Sequence, residues 1–347
     1  MRIIYSEKHL LHATANLIID GQPFITEELP ERAEVIRKAL ERADLGTIFP
    51  PSDFSLAPIQ RTHTTAYLNY LQTAFQEGVF YHHEARPILP ETFAPRSIRR
   101  QTRHPVGKRG YFCYGIGSPI LAGTWEAAYW SAQCALTAAD DLLKGERCVY
   151  ALCRPPGHHA GPDFYGGFCY LNNAAIAARY LEDAGNRVAI LDIDYHHGNG
   201  TQEIFYDDPQ VFYCSIHADP DMDYPFFWGG ADEIGSGYGS GYNLNMPQPP
   251  GIGDVEYLRA LSICQERIRA FQPDCMVISA GFDTIQNDPA GGFELTRIGI
   301  EEIGRRLAIQ SVSGPQGCHH PTLIVQEGGY LLESLGELTV GFLKAFV

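Results

Sequence analysis

One stretch, residues 188–200, limits what this chain can be more than any other. Residues 188–193 form an apolar run after Gly185-Asn186, which predicts a buried β-strand. Because side chains alternate along an extended chain, Asp192, Asp194 and His196 face the same side. We predict that Asp194 and His196 bind one metal ion, with Asp192 directly behind them. The run ends in carboxylates, imidazoles and glycines: Leu191-Asp192-Ile193-Asp194-Tyr195-His196-His197-Gly198-Asn199-Gly200.

Strand and helix patterns alternate regularly after residue 123. The predicted strands are almost wholly apolar, which is typical of a parallel sheet covered by helices on both faces. We find no repeat and no linker. The sequence therefore predicts an α/β fold, with a central, mostly parallel sheet, in a single domain spanning 1–347. The predicted strands are 148–152, 188–193, 211–216, 275–279 and 322–325, and the predicted helices are 124–143, 173–183, 201–206, 255–271, 297–308 and one closing helix.

The first part of the chain is less regular. It predicts a short strand at 2–5 and helices at 30–44 and 65–77. Residues 81–117 then carry four prolines, several Arg and Lys, and no periodic apolar face. Loops of this length in a compact domain are usually functional. We interpret 81–117 as an insertion that forms an active-site rim or a subunit interface.

Composition excludes several classes of protein. The net charge of −15, from 26 Lys and Arg against 41 Asp and Glu, argues against nucleic acid as a partner, because phosphate binding needs a basic surface. No apolar run approaches the roughly 20 residues that cross a bilayer, so no membrane association is expected. The nine cysteines include no CxxC pair, and the first residues lack an apolar signal segment. These features predict reduced thiols and a cytoplasmic protein.

Four of the predicted strands end in polar residues next to Gly or Pro. In open α/β sheets, ligands bind beyond the carboxyl ends of the strands. One such ending is ordinary, but four in the same sheet indicate a shared site. The four endings are Arg154-Pro155-Pro156-Gly157-His158-His159, Asp194-Tyr195-His196, Ala280-Gly281-Phe282-Asp283 and Glu327-Gly328-Gly329-Tyr330.

The endings supply a complete set of metal ligands. Asp194, His196 and Asp283 provide three protein ligands and leave one position open, as expected of a catalytic metal. Asp and His without Cys favour Zn²⁺, with Fe²⁺ or Co²⁺ as alternatives, over Ca²⁺ and Mg²⁺.

The remaining polar residues suit acid–base chemistry. We assign His158 and His159 as acid–base groups for an activated water, with His158 oriented by Asp192 and His159 by Asn199. Tyr330 follows two glycines and can donate its hydroxyl to an oxyanion opposite the metal. Together these groups predict metal-assisted hydrolysis of an amide.

The motifs resemble those of the histone deacetylase superfamily. The 81–117 loop, the segment Gly123-Thr124-Trp125-Glu126-Ala127-Ala128 and Asn199 are most similar to the bacterial acetylpolyamine amidohydrolase branch. The resemblance implies an arginase-like fold, Zn²⁺ at the three ligands, and hydrolysis of an N-acetyl amide to acetate and a free amine. The matching blocks are Arg154 to Ala160, Gly167-Phe168-Cys169-Tyr170-Leu171-Asn172-Asn173, Asp192 to Gly198, Ala280 to Asp283 and Glu327 to Tyr330.

The resemblance also implies features around the reaction centre. It implies a substrate channel walled by Phe168 and Tyr224, with Gly167 and Ala290 beside it. It implies a homodimer formed through the 81–117 loop. A structural K⁺ or Na⁺ is expected near Asp192, Asp194, His196 and Ser215.

The chain departs from the polyamine-cleaving pattern at its channel. Carboxylates that recognise ammonium groups in that branch align with Leu17, Val106 and Gly117, and a gatekeeper glutamate aligns with Ala290. Asp20 or another acid could replace them. The substrate therefore stays open between an acetylated small amine and an acyl-lysine protein or peptide, as in histone deacetylases.

Two other classes fit less well. An arginase-like ureohydrolase needs a second metal, but the corresponding positions are Gly198 and Ile285, which are not ligands. A non-enzymatic binder of acetylated amines should lack a ligand or a catalytic histidine, whereas all of these positions are filled.

Overall fold

The structure is a computed structural model that describes residues 1–15, 17–19, 22–95, 100–312 and 320–347, except the side chains of 310–312. Its main sheet is parallel throughout, and a short antiparallel hairpin lies apart from it. The strands are β1 (Arg2–Tyr5), β2 (Ile18–Ile19), β3 (Gln22–Pro23), β4 (Thr47–Phe49), β5 (Cys148–Leu152), β6 (Val188–Asp192), β7 (Val211–Ala218), β8 (Asn243–Gln248), β9 (Cys275–Ala280) and β10 (Thr322–Gln326).

The main sheet has eight strands in the described residues, in the order β4-β1-β5-β10-β9-β6-β7-β8. Helices cover both of its faces, as predicted. The helices are α1 (Glu31–Arg42), α2 (Ala57–Gln60), α3 (Thr65–His82), α4 (Pro105–Phe112), α5 (Thr124–Leu143), α6 (Asn173–Asp183), α7 (Asn199–Phe205), α8 (Asp254–Phe271), α9 (Arg297–Val312) and α10 (Leu332–Leu343).

The core has an apolar layer on each face of the sheet, and a third buried cluster lies where α3 and α4 pack against α5. Helices α1, α8, α9 and α10 pack on one face, and α5 and α6 pack on the other. Every residue of β6, β7, β9 and β10 is buried. Strands buried on both faces are mostly apolar at successive positions, which explains why their sequences do not alternate.

Two edge strands were not predicted from the sequence. Strand β4 has only three residues, and β8 reads Asn-Leu-Asn-Met-Pro-Gln, which is not an apolar run. The buried positions of β8 are Asn243 and Asn245, and both side-chain amides donate to Gln202, at 3.0 and 2.8 Å. Hydrogen bonds take the place of apolar packing here, so the usual strand signal is missing.

The 81–117 loop contains a helix, although its sequence shows no periodic apolar face. Helix α4 begins at Pro105 and packs Phe112 against Tyr70, with ring centroids 4.8 Å apart. Arg109 is buried and donates to Glu91 at 3.2 Å. The helix has only eight residues and two glycines, so its apolar face is too short to produce a periodic signal. Residues 96–99 of this loop lie outside the described residues.

None of the helices in the described part of the chain is both long enough and apolar enough to cross a bilayer.

Candidate active site

The sheet order explains how four distant motifs come together. Strands β5, β10, β9 and β6 are consecutive neighbours, and all four run in the same direction. Their carboxyl ends therefore meet at one edge of the sheet. The loops that follow them carry the four polar endings identified in the sequence.

Three side chains at this edge form a metal-binding group. Nδ1 of His196 lies 3.3 Å from Oδ1 of Asp194 and 3.3 Å from Oδ2 of Asp283, and the three ligand atoms all lie within 4.8 Å of one another. The other carboxylate oxygens are held by the backbone. Oδ2 of Asp194 accepts the Gly328 N–H at 2.7 Å, and Oδ1 of Asp283 accepts the Tyr195 N–H at 2.9 Å.

The electrostatics of this group fit a bound cation. Oδ2 of Asp283 is buried and accepts no hydrogen bond from any described residue. Burial and the negative charge of Asp194 raise the pKa of Asp283 to about 7. A buried carboxylate oxygen without a donor is costly, and a divalent cation would neutralise both charges. The three residues therefore fit a catalytic metal.

A second group of possible ligands, His158, Cys169 and Glu327, lies nearby. Glu327 is already bonded, since its Oε2 accepts the N–H groups of Gly157 and His158 at 2.6 and 3.2 Å. Burial raises the pKa of the Cys169 thiol well above its usual value. We interpret this group as structural support for the 154–159 loop.

The two adjacent histidines have different partners. Nδ1 of His158 lies 3.0 Å from Oδ2 of Asp192, and Nδ1 of His159 lies 2.7 Å from Oδ1 of Asn199. These are the orienting contacts that the sequence predicts. The imidazole rings lie 4.1 Å apart between centroids.

Their environments also shift the pKa values of the two histidines in opposite directions. Burial lowers the pKa of His158, but the carboxylates of Asp194 and Asp192 outweigh it and raise the pKa to about 10. Burial and the nearby imidazoles of His158 and His196 hold the pKa of His159 well below its usual value. His159 is therefore held neutral, with one ring nitrogen free to accept a proton, whereas the contact with Asp192 favours a protonated His158.

Tyr330 is held from two sides by residues that sequence reasoning missed. The Arg32 guanidinium donates to the carbonyls of Glu327 and Gly329, both at 2.6 Å, and lies 4.5 Å from the centre of the Tyr330 ring. On the other side, Oδ2 of Asp288 accepts the Tyr330 N–H at 2.7 Å. Burial raises the pKa of Tyr330 well above 10, so its hydroxyl remains a donor.

Arg32 belongs to a buried ionic cluster with Glu28 and Arg154. Glu28 accepts from Arg154 at 2.8 and 2.9 Å and from Arg32 at 3.2 Å. Arg32 lies in a predicted helix, where an arginine normally marks the solvent face. The sequence carries no local signal that it turns inward.

A cavity of about 450 Å³ leads to the reaction centre, where His159, His196 and Tyr330 line it. All four predicted channel residues line it: Gly167, Phe168, Tyr224 and Ala290. Phe168 has a φ of 66°, and its ring lies 5.8 Å from that of Tyr330. Gly167 has a φ of 52°, and a Cβ there would lie 2.3 Å from the His159 ring, so only glycine fits.

The mouth of this cavity is apolar. Ile116, Phe226 and Phe227 line it and are 67%, 54% and 82% exposed. Among the residues that the structure describes, no Asp or Glu lines the cavity.

Only two of the four positions that align with polyamine-recognising acids line the cavity. Gly117 and Ala290 line the cavity, whereas Leu17 and Val106 do not. Asp20 lies outside the described residues.

Comparisons with known proteins agree with this geometry. The histone deacetylase domain matches residues 26–346. Acetylpolyamine amidohydrolase 1 of Pseudomonas aeruginosa is 42% identical over 350 residues, covering 100% of this chain and 99% of that protein. The acetylpolyamine amidohydrolase of Mycoplana ramosa is 38% identical, covering 99% of both chains.

A solved structure shows the same fold. The crystal structure of acetylpolyamine aminohydrolase from Burkholderia pseudomallei superposes with a TM-score of 0.91 at 38% identity, covering 100% of this chain and 98% of that one. The shared fold is the arginase/deacetylase fold predicted from the sequence. With its metal-ligand group at the carboxyl edge of that sheet, this chain belongs to the histone deacetylase family.

Proposed function

We propose that this protein is a zinc-dependent amidohydrolase that cleaves an N-acetyl amide of an amine to acetate and the free amine. The observation that carries this proposal is the convergence of three metal ligands, two oriented histidines and the Tyr330 hydroxyl at the end of one cavity. Relatives named acetylpolyamine amidohydrolase support it.

Each residue of the site has a separate role in the proposed reaction. Zn²⁺ held by Asp194, His196 and Asp283 would supply Lewis acidity that polarises a carbonyl and acidifies water. Neutral His159 accepts a proton from the attacking water, and His158 delivers a proton to the departing amine. Tyr330 donates its hydroxyl to the oxyanion as the amide carbon becomes tetrahedral.

The substrate is less restricted than the relatives' names suggest. A channel selects a polyamine by placing carboxylates near its ammonium groups, and each such contact contributes roughly 1.5–3 kcal/mol. The described wall of this cavity has none. This acid-free wall favours acyl-lysine peptides as a second class of substrate.

A hydrolysis panel tests both the activity and its range. We expect chelator-sensitive release of acetate from acetyl-lysine peptides and from acetylated putrescine or cadaverine. The best polyamine should exceed the best peptide in kcat/KM by less than about tenfold, which corresponds to 1.4 kcal/mol.

Two outcomes of the panel would count against the proposal. Failure to hydrolyse any acetylated amine would exclude the activity. A larger polyamine preference would mean that an unplaced acid, such as Asp20, lines the channel.

The proposal includes a homodimer formed through the 81–117 loop. Exposed aromatic residues in the loop and in the last turn of α3 beside it support the dimer, since Phe93 is 44% exposed and Phe80, in α3, is 82% exposed. Replacing both by Asp should convert dimers to monomers in sedimentation velocity, because charged residues oppose burial in an interface.

A matched control is Ile298→Asp in α9, where the residue is 75% exposed and lies outside the loop. This variant should remain dimeric. Wild-type protein that already sediments as a monomer would contradict the dimer.

Three further assignments belong to the same proposal. We assign 1–347 to a single deacetylase domain. A structural K⁺ or Na⁺ near Asp192, Asp194, His196 and Ser215 is supported by the pairing of Asp192 with Ser215 across β6 and β7. A cytoplasmic location is supported by the eight cysteines of the described residues, all of which are free.

A further inference from the structure

A chain of hydrogen bonds connects the channel wall to His159. The Tyr224 hydroxyl donates to the Tyr114 hydroxyl, which donates to Oδ1 of Asn199 at 3.2 Å. The same Oδ1 lies 2.7 Å from Nδ1 of His159. Tyr114 belongs to the end of the 81–117 loop, so this loop reaches the reaction centre.

The Asn199 amide is held in an unfavourable orientation. Its Oδ1 accepts from both Tyr114 and His159, while its Nδ2 is buried and donates to no described atom. Rotating the amide by half a turn would place Nδ2 against Nδ1 of His159. A buried donor without an acceptor is costly. The rotated state is therefore favoured in one respect, because Nδ2 could donate to Nδ1 of His159.

The rotated state would change the tautomer of His159. Neutral imidazole carries one proton, on Nδ1 or on Nε2. An amide donor facing Nδ1 would force the proton onto Nε2, on the ring edge beside Gly167 in the channel wall. Nε2 of His159 would then be a proton donor, whereas the proposed catalysis requires it to accept a proton.

The hydroxyl of Tyr114 opposes this rotation. It already receives the proton of Tyr224, so its own proton points to Asn199 and repels Nδ2. The Tyr114 ring cannot move aside, because it packs edge-on against Phe164 and Trp228 at 5.4 and 5.5 Å.

We propose that Tyr114 is a positioning residue that holds the Asn199 amide so that His159 keeps its proton on Nδ1. The consequence for catalysis rests on the proposed function, whereas the tautomer itself does not. The 81–117 loop thereby contributes to the chemistry as well as to the surface.

The test is Tyr114→Phe, which removes the hydroxyl and keeps the ring. On the best substrate of the panel, we expect kcat to fall about tenfold, less than the roughly 10²–10⁴-fold contribution of a general base because only its tautomer is disturbed, with KM and zinc content unchanged. Nitrogen-15 NMR of labelled histidine should show the His159 proton moving from Nδ1 to Nε2, in both metal-free and zinc-loaded protein.

Two further variants make the test specific. Asn199→Asp cannot rotate to a donor, so adding Tyr114→Phe in this background should change kcat less than about twofold and leave the tautomer unchanged. Tyr165→Phe is the control, since it removes another buried hydroxyl, 3.4 Å from Tyr70, without touching Asn199. It should behave like the wild type.

The outcomes separate this inference from the proposed function. An Nδ1 proton that persists in Tyr114→Phe would overturn the inference, as would an equal loss of kcat in the Asn199→Asp background. If Tyr114→Phe does not fold, Tyr224→Phe frees the Tyr114 proton to turn away and should give a mixture of tautomers. A protein that hydrolyses no amide but shows the tautomer change would refute only the proposed function.

Discussion

Asp283→Ala is expected to empty the metal site and to lower turnover by more than about 10³-fold, beyond the loss of one oxyanion donor. Asp283 is one of only three proposed protein ligands, and its Oδ2 has no other partner among the described residues. Without it, Asp194 and His196 would hold a cation with two ligands. Metal analysis should find one divalent ion per wild-type chain and none in the variant.

Asp141→Ala provides a matched control for this result. Asp141 is also a buried acid, but it accepts from Arg2 at 2.8 Å and lies outside the metal group. That variant should keep its metal and its rate. Two tightly bound ions per wild-type chain, or metal retained by Asp283→Ala, would show that the ligand assignment is wrong.

Tyr330→Phe is expected to keep the metal and lose on the order of 10²–10³ in kcat, because it removes a hydrogen bond that strengthens on the oxyanion. The fold around the residue should not change. Arg32 and Asp288 hold its backbone and ring, and neither contact involves the hydroxyl.

The measurement combines steady-state kinetics with metal analysis and the melting temperature. We expect kcat to fall while the metal content and melting temperature stay near those of the wild type. An unchanged kcat would mean that the hydroxyl does not face the reacting carbonyl.

Much of the architecture was predictable because it is encoded locally. The strands β5, β6, β9 and β10 are mostly apolar, and their polar endings stand out from their surroundings. A parallel sheet brings such endings to one edge, so the metal group and the partners of His158 and His159 follow from sequence position. Family resemblance supplied the channel residues.

Other features depended on the tertiary structure alone. Arg32 and Asp288 are far from Tyr330 in sequence, and Tyr114 is 85 residues from Asn199. The asparagines of β8 and the buried Arg109 of α4 look like surface residues in sequence. Local periodicity shows which face of an element is apolar, but not which distant side chain faces it. That choice is made when helices and loops pack over the sheet, because a buried polar group is stable only where packing places its partner within hydrogen-bond distance.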